Sequence, residues 1–152
     1  MSEQATPVEM QAATQALLAG QSLTEHLGLP EEVNSVLYAG AVSHYESKRN
    51  VEAIELLFKL VAMKPRMPDA WALLGNCMMR EGRFPEALEA WSLALHLKPS
   101  HAAAQRVVRT ALALKDKVTA AVGLMAMLKH GTTPEHRAAY LELGQAMLEL
   151  PG

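Results

Sequence analysis

The chain has a single cysteine, Cys77, among 152 residues. That excludes an internal disulfide and a cysteine-based metal cluster, and it fits a reducing compartment. Aromatic residues make up only 5% of the sequence, with two Trp, three Tyr and two Phe. No apolar run reaches the ~18 residues that a membrane span requires. The start, Met1-Ser2-Glu3-Gln4, lacks the basic residues of a signal peptide. No Lys/Arg cluster runs longer than Lys48-Arg49, and the net charge is −2 with a pI near 6.3. A nucleic-acid surface is therefore poorly supported. The expectation is a soluble, cytoplasmic protein that neither inserts into a membrane nor binds nucleic acid.

Chemistry-bearing motifs are missing too. The six histidines, His26, His44, His96, His101, His130 and His136, form neither H-E-x-x-H nor H-x₃-H on one helix. His96 and His101 flank Pro99, so they cannot share a helical face. There is no G-x-S-x-G, no P-loop and no G-x-G-x-x-G. Cys77 follows Asn76 with no base nearby in sequence and reads as a small buried hydrophobe rather than a nucleophile. No catalytic residue, metal site or cofactor is expected, and the chain does not read as an enzyme.

The sequence is 50% hydrophobic and 20% charged, which suits one domain with a continuous core. Its nine methionines read mainly as helical core. From Pro68 to His101 the residues are ordered: Trp71, Leu74, Gly75 and Met78, then Ala87, Trp91, Ala94 and Pro99. Trp71, Leu74 and Met78 recur at helical spacing. Gly75 and Ala87 are small where two antiparallel helices would cross. Glu81-Gly82-Arg83 reads as the turn, with Gly82 left-handed. Pro85 suits the first turn of a second helix and Pro99 its end. These spaced residues match the tetratricopeptide pattern W-x₂-L-G-x₂-Y, A-x₃-F, A, P, with Met78 in the Tyr place and Trp91 in the Phe place.

A 34-residue frame laid upstream gives a repeat over 34–67. Leu37, Gly40, Ala41 and His44 lead it, followed by Ala53, Leu57, Leu60 and Pro65. Its turn is Lys48-Arg49-Asn50, with Asn50 as the left-handed residue. Downstream, over 102–135, Val108, Leu112, Ala121, Met125 and Leu128 form a weaker stripe, with Lys115-Asp116-Lys117 as the turn. Arg109 then falls in the place of Gly75. Residues 8–19 (Met10, Ala13, Ala16, Leu17, Leu18) predict an N-terminal helix. Residues 134–149 predict a capping helix whose apolar stripe is Tyr140, Leu141, Leu143, Gly144, Met147 and Leu148. The expected fold is all-α: a single domain over 1–152, a solenoid of three helix pairs (34–67, 68–101, 102–135) between those two helices.

Such a stack lines a concave groove with the first helix of each pair. The inward positions are Tyr38, Val42 and Tyr45 on the first, Ala72, Asn76, Met79 and Arg80 on the second, and Arg106, Thr110, Ala113 and Leu114 on the third. Tyr38 and Tyr45 lie two turns apart on one face with Val42 between them, and aromatic rings with a polar tip suit peptide binding. The competing reading packs both tyrosines under the helix at 8–19.

The segment Leu17-Leu18-Ala19-Gly20-Gln21-Ser22-Leu23, then Leu37-Tyr38 with Tyr45, then Leu74-Gly75-Asn76-Cys77, resembles the tetratricopeptide chaperones of bacterial type III secretion (the translocator-chaperone class). The likeness runs from about Gln15 to Leu128. It implies a cytoplasmic protein that holds an extended segment of a secreted translocator in its groove before export. By position it implies Tyr38, Val42, Tyr45, Asn76 and Met79 as client contacts. In that family the N-terminal helix often mediates dimers, so the resemblance also allows a homodimer through Val8–Ala19. The chain departs from the family in having fewer groove aromatics, with Val42 where an aromatic is common. A general tetratricopeptide adaptor and a chaperone of the secretion needle subunit are the alternatives. An adaptor for an acidic C-terminus would need Lys and Asn where Tyr38 and Val42 stand.

Overall fold

A computed structural model describes residues 28–151 together with Gln11, Thr14 and Gln15. The expectation of a helix over 8–19 therefore lies outside the described residues, apart from those three, which are helical. Between residues 28 and 151 the chain forms seven helices: α1 Glu32–Glu46, α2 Asn50–Met63, α3 Pro68–Arg80, α4 Phe84–Leu97, α5 His101–Ala113, α6 Lys117–His130 and α7 Pro134–Leu148. No strand occurs among the described residues. Each helix packs on its sequence neighbour, and the pairs α1–α2, α3–α4 and α5–α6 form the closest associations. The fold is the expected tetratricopeptide solenoid.

Short stops set this pairing. The turns inside the pairs each contain one left-handed residue: Lys48 at φ 61°, Gly82 at 72° and Lys115 at 59°. Gly82 adopts that conformation without steric cost, whereas the two lysines do so against it. In the first turn the left-handed residue is thus Lys48, which occupies the Gly82 place. Asn50 is instead the first residue of α2. Three of the seven helix starts are capped by a side chain. Ser100, Asp116 and Thr133 accept hydrogen bonds from the backbone N–H groups of Ala103, Thr119 and His136, meeting donors that the first helical turn leaves open. Pro68, Pro85 and Pro134 sit in first turns, where a missing N–H costs nothing.

The central pair is the best packed. Trp71, Leu74 and Met78 are fully buried, as are Ala87 and Ala90, and Trp91 is nearly so. Trp91 lies directly over Gly75: a Cβ there would stand 2.5 Å from Cδ1 and Nε1 of the indole. The Trp71 indole N–H donates to the carbonyl of Pro65 at 2.8 Å. This bond fixes α3 to the end of the preceding pair and satisfies a buried donor. At the same end of α1–α2, Glu31 and Lys64 form an ion pair. One large core spans α1 to α4 and reaches Val107. A smaller cluster of Ala104, Val108, Leu124, Met127 and Leu143 joins α5, α6 and α7.

The third pair departs from the 34-residue frame by one residue. Helix α5 starts at His101, 33 residues after Pro68, and α7 starts at Pro134, another 33 on. With that step Ala104, Val107, Val108 and Ala111 take the places of Trp71, Leu74, Gly75 and Met78. Ala120, Leu124 and Met127 take those of Ala87, Trp91 and Ala94. All seven are buried. The expected stripe Ala121, Met125, Leu128 is corrected accordingly: Met125 is 71% and Leu128 65% exposed, and Ala121 is only half-buried. One residue rotates a helix position by about 100°, so the shift moves the stripe from the core to the surface. The close approach also changes partner here, because a Cβ on Gly123 would meet Val108 Cγ2 at 2.6 Å.

Helix α7 occupies the place of a fourth first helix and covers α5 and α6 with Leu143 buried and Tyr140, Gly144 and Met147 half-buried. Two members of its expected apolar stripe are corrected, since Leu141 and Leu148 face outward.

Candidate functional site

First helices touch first helices along the stack, α1 with α3 and α5 with α7. Their free flanks therefore line one side of the solenoid, and the second helices lie behind them. On α1, Tyr38, Val42 and Tyr45 are all half-buried and rest on the large core. Each has one side fixed by packing and one side at the surface. Burial pushes the Tyr38 hydroxyl above the usual phenol range, helped by the charge of Asp69, which is the inward residue at the start of α3. The Arg80 guanidinium lies 3.6 Å from the centre of the Tyr45 ring. It also donates to the Tyr45 carbonyl at 2.9 Å, and Asn50 Oδ1 lies 3.4 Å away. Arg80 therefore locks the end of α1 to the end of α3. A cation held over a ring in this way stabilises both side chains. Ala72, Asn76 and Met79 on α3 are half-buried beside this cluster, and Arg80 itself is exposed. All seven inward residues expected on α1 and α3 thus lie along one flank.

On α5, Thr110 and Arg106 do not join them. Thr110 is buried, and its hydroxyl bonds to the Arg106 carbonyl at 2.8 Å and lies 3.8 Å from Met79 Sδ. It packs α5 onto α3 and offers no group at the surface. The Arg106 guanidinium lies 5.5 Å from the Trp91 ring, turned toward α4. With the 33-residue step, the positions on α5 that correspond to Ala72, Asn76 and Met79 are Gln105, Arg109 and Leu112. Gln105 and Arg109 are one helical turn apart, and with the Gln105 amide turned so that its oxygen faces the guanidinium, it accepts from Arg109 at 3.0 Å. Sequence spacing could have located them, because Pro68 and Pro134 both open helices and stand two 33-residue steps apart.

Cys77 is fully buried, and burial pushes its thiol up to about 11, so it stays protonated and unreactive at neutral pH. His101 and His136 stack with ring centres 3.9 Å apart and 17° between planes. His136 Nδ1 accepts from the Thr132 N–H at 3.0 Å. Burial, then the neighbouring His136, holds His101 below the usual imidazole range. No group of three His, Cys, Asp or Glu side chains among the described residues could hold a metal ion. No helix among them is long and apolar enough to cross a membrane. From the N-terminal segment, the Thr14 hydroxyl donates to Glu89 on α4 at 3.1 Å. That contact is on a second helix, away from Tyr38 and Tyr45.

Residues 44–111 match the family model of the tetratricopeptide repeat. No curated protein matches the chain. Among solved structures, the Yersinia enterocolitica type III secretion chaperone SycD, in complex with a peptide of the translocator YopD, is 16% identical. That alignment covers 80% of this chain and 94% of SycD, with a TM-score of 0.65. PcrH in complex with the chaperone-binding region of PopD is 21% identical over 81% of this chain and 94% of PcrH, at 0.65. PcrH is a Pseudomonas aeruginosa protein. The first tetratricopeptide domain of Spaghetti (RPAP3), bound to the HSP90 peptide SRMEEVD, is 19% identical over 79% and 97%, at 0.67.

Proposed function

We propose that this chain is a cytoplasmic chaperone of a bacterial type III secretion system, holding an extended segment of a translocator subunit along α1 and α3. It acts by binding alone. The observation that carries this reading is the row Tyr38, Val42 and Tyr45, half-buried and fixed from behind, with Arg80 clamped on Tyr45. Rings already immobilised by packing lose little side-chain freedom when a ligand covers them, so the area they offer converts well into affinity. The similar fold of SycD is seen with a translocator peptide and that of PcrH with the chaperone-binding region of PopD, which supports the choice of client.

The similar fold of RPAP3 with an acidic HSP90 peptide makes fold alone insufficient to choose. Chemistry separates the two. A clamp for a terminal carboxylate needs cationic and amide donors on the first helix, and here those places hold Tyr38 and Val42. Arg80 is already engaged with Tyr45 and Asn50. A client with apolar side chains at intervals fits this surface, and a needle-subunit segment would share that chemistry.

Titration separates these readings. Peptides from translocators, a needle subunit and SRMEEVD are added to the full-length chain and followed by calorimetry. The double change Tyr38→Ala with Tyr45→Ala should weaken translocator binding about thirtyfold or more, as loss of ~2 kcal/mol from anchoring rings implies. Helical content should stay unchanged. Tight SRMEEVD binding without translocator binding would replace this reading with the adaptor one. Collapse of the fold in the double variant would place the tyrosines in the core.

A further inference from the structure

Helices α1, α3 and α5 each have a second helix packed on them. Those second helices, α2, α4 and α6, are 14 residues long in every case. Helix α7 stands in the place of a fourth first helix and has no such partner among the described residues. The slot that a partner would fill is marked by apolar side chains that the fold leaves at the surface. On α6, Val118, Val122, Met125 and Leu128 are exposed, and on α7 Leu141 and Leu148. Val118, Val122 and Met125 follow one another at four and three residues, so they form one stripe along α6. Leu128 lines a hollow of about 610 Å³ together with Leu141. It also borders a second hollow, of about 510 Å³, with Met125 and Leu95. A ridge between two hollows is the relief into which the side chains of a packed helix interdigitate.

The ionisable residues at the two hollows are all of one kind. His136 and Arg137 line the first and Lys129 and His130 the second, and neither lining includes an aspartate or glutamate. Lys129 follows Met125 by four residues on α6, and Arg137 precedes Leu141 by four on α7. Each cation thus lies one helical turn from an exposed apolar side chain. Both are exposed, and neither forms an ion pair with a described residue. The glutamates of α7 point elsewhere. Glu142 follows Leu141 directly, about 100° round the helix, and Glu135 and Glu149, seven residues to either side, share its direction. Apolar ridges rimmed by cations alone oppose a second copy of the same face. They complement a helix that is apolar along one stripe and acidic beside it. Two separate hollows also fit discrete side chains better than a planar lipid surface. We infer that this slot docks an acidic amphipathic helix of another protein, about as long as the second helices, which completes a fourth pair. Its apolar stripe covers Leu128 and Leu141, and its carboxylates face Lys129 and Arg137. The slot shares no residue with the α1–α3 flank, so the inference stands apart from the client reading.

The test uses the full-length chain and two fluorescent synthetic helices as long as α6. One carries leucine along a single stripe with glutamate beside it, and the other has lysine for every glutamate. Anisotropy at low salt should show the acidic helix bound with a micromolar dissociation constant and the basic one at least about tenfold more weakly. Raised salt should weaken the acidic helix. Leu128→Ser with Leu141→Ser should weaken it about thirtyfold, as loss of two central anchors implies. Lys129→Glu with Arg137→Glu should reverse the preference between the two helices. Tyr38→Ala with Tyr45→Ala should change neither, which keeps failure here distinct from failure of the client reading. Equal affinity for both helices overturns the proposal. If the leucine variant loses helical content, the charge-reversed variant decides, because Lys129 and Arg137 are exposed; an unchanged preference there overturns it. Three other occupants would show themselves. A wild-type dimer made monomeric by Leu128→Ser with Leu141→Ser would put a second copy in the slot. Tighter binding of the acidic helix on Met10→Glu with Leu17→Glu would put the chain's own N-terminal segment there. Cosedimentation with phosphatidylglycerol vesicles, lost in Lys129→Glu with Arg137→Glu, would assign the face to a membrane. Each of the three overturns the proposal.

Discussion

Replacing Gly75 by alanine should destabilise the protein, although the same change at most helix positions stabilises it. Gly75 lies inside α3, where alanine gains about 1 kcal/mol of helix propensity over glycine. Against this, the new methyl would stand 2.5 Å from two atoms of the Trp91 ring and 3.0 Å from a third, where carbon atoms prefer about 3.5–4.0 Å. The obstacle is a rigid indole, which must move as a whole, and Arg106 lies over its ring on the α4 side. Overpacking of a filled core costs roughly 1–3 kcal/mol, and a clash with three ring atoms belongs at the upper end. The net loss should be about 2 kcal/mol, or a fall of roughly 4–8 °C in thermal midpoint for a chain of this size. Gly144 provides the control, since a Cβ there meets nothing within 4 Å. Gly144→Ala should gain up to about 1 kcal/mol. The first pair supplies the rescue: Ala41 and Leu57 occupy the places of Gly75 and Trp91, and both are fully buried. Trp91→Leu alone should cost about 3 kcal/mol, yet Gly75→Ala combined with Trp91→Leu should lose about 2 kcal/mol less than the sum of the two. Urea unfolding followed by circular dichroism measures all four proteins. Gly75→Ala at or above wild-type stability, or a double variant whose losses simply add, would refute the close-approach reasoning.

Lys48→Gly and Lys115→Gly relieve left-handed backbone at φ 61° and 59°, and each should raise stability by about 0.5–1 kcal/mol in the same assay. Cys77 should resist alkylation at pH 8 in the native protein and react at once in urea, because burial holds its thiol near 11; rapid labelling without denaturant would contradict its place in the core. His101 is held below its ordinary value by burial and by His136, so the unfolded chain takes up a proton there first as the pH falls. Its contribution is complete above about pH 6.5 and is lost as the pH drops toward the folded value. Thermal midpoints between pH 7.5 and 5 should fall more for wild type than for His101→Gln, and equal slopes would remove His101 from the account.

The central pair was legible because its residues are chemically unequal. The Trp91 indole leaves no room for a Cβ at position 75, and only glycine takes the Gly82 turn without strain, so position and identity agree. The third pair was less legible for a physical reason. Helix α6 is apolar almost all round: Ala120, Leu124 and Met127 make one stripe, and Ala121, Met125 and Leu128 make another one residue away. Periodicity cannot choose between two stripes of equal hydrophobicity. The missing signal was punctuation rather than hydrophobicity, since Ser100 caps α5 and Pro134 opens α7 in a 33-residue rhythm set by Pro68. The same displacement placed Thr110 at the surface when it is buried, and concealed Gln105 and Arg109. The first stripe of α6 is covered by α5 and α7, and the second stands open beside Leu141. The ambiguity that obscured the register is therefore physical: the two stripes are equally apolar, and what buries one of them is the position of α5 and α7, which α6 alone does not encode.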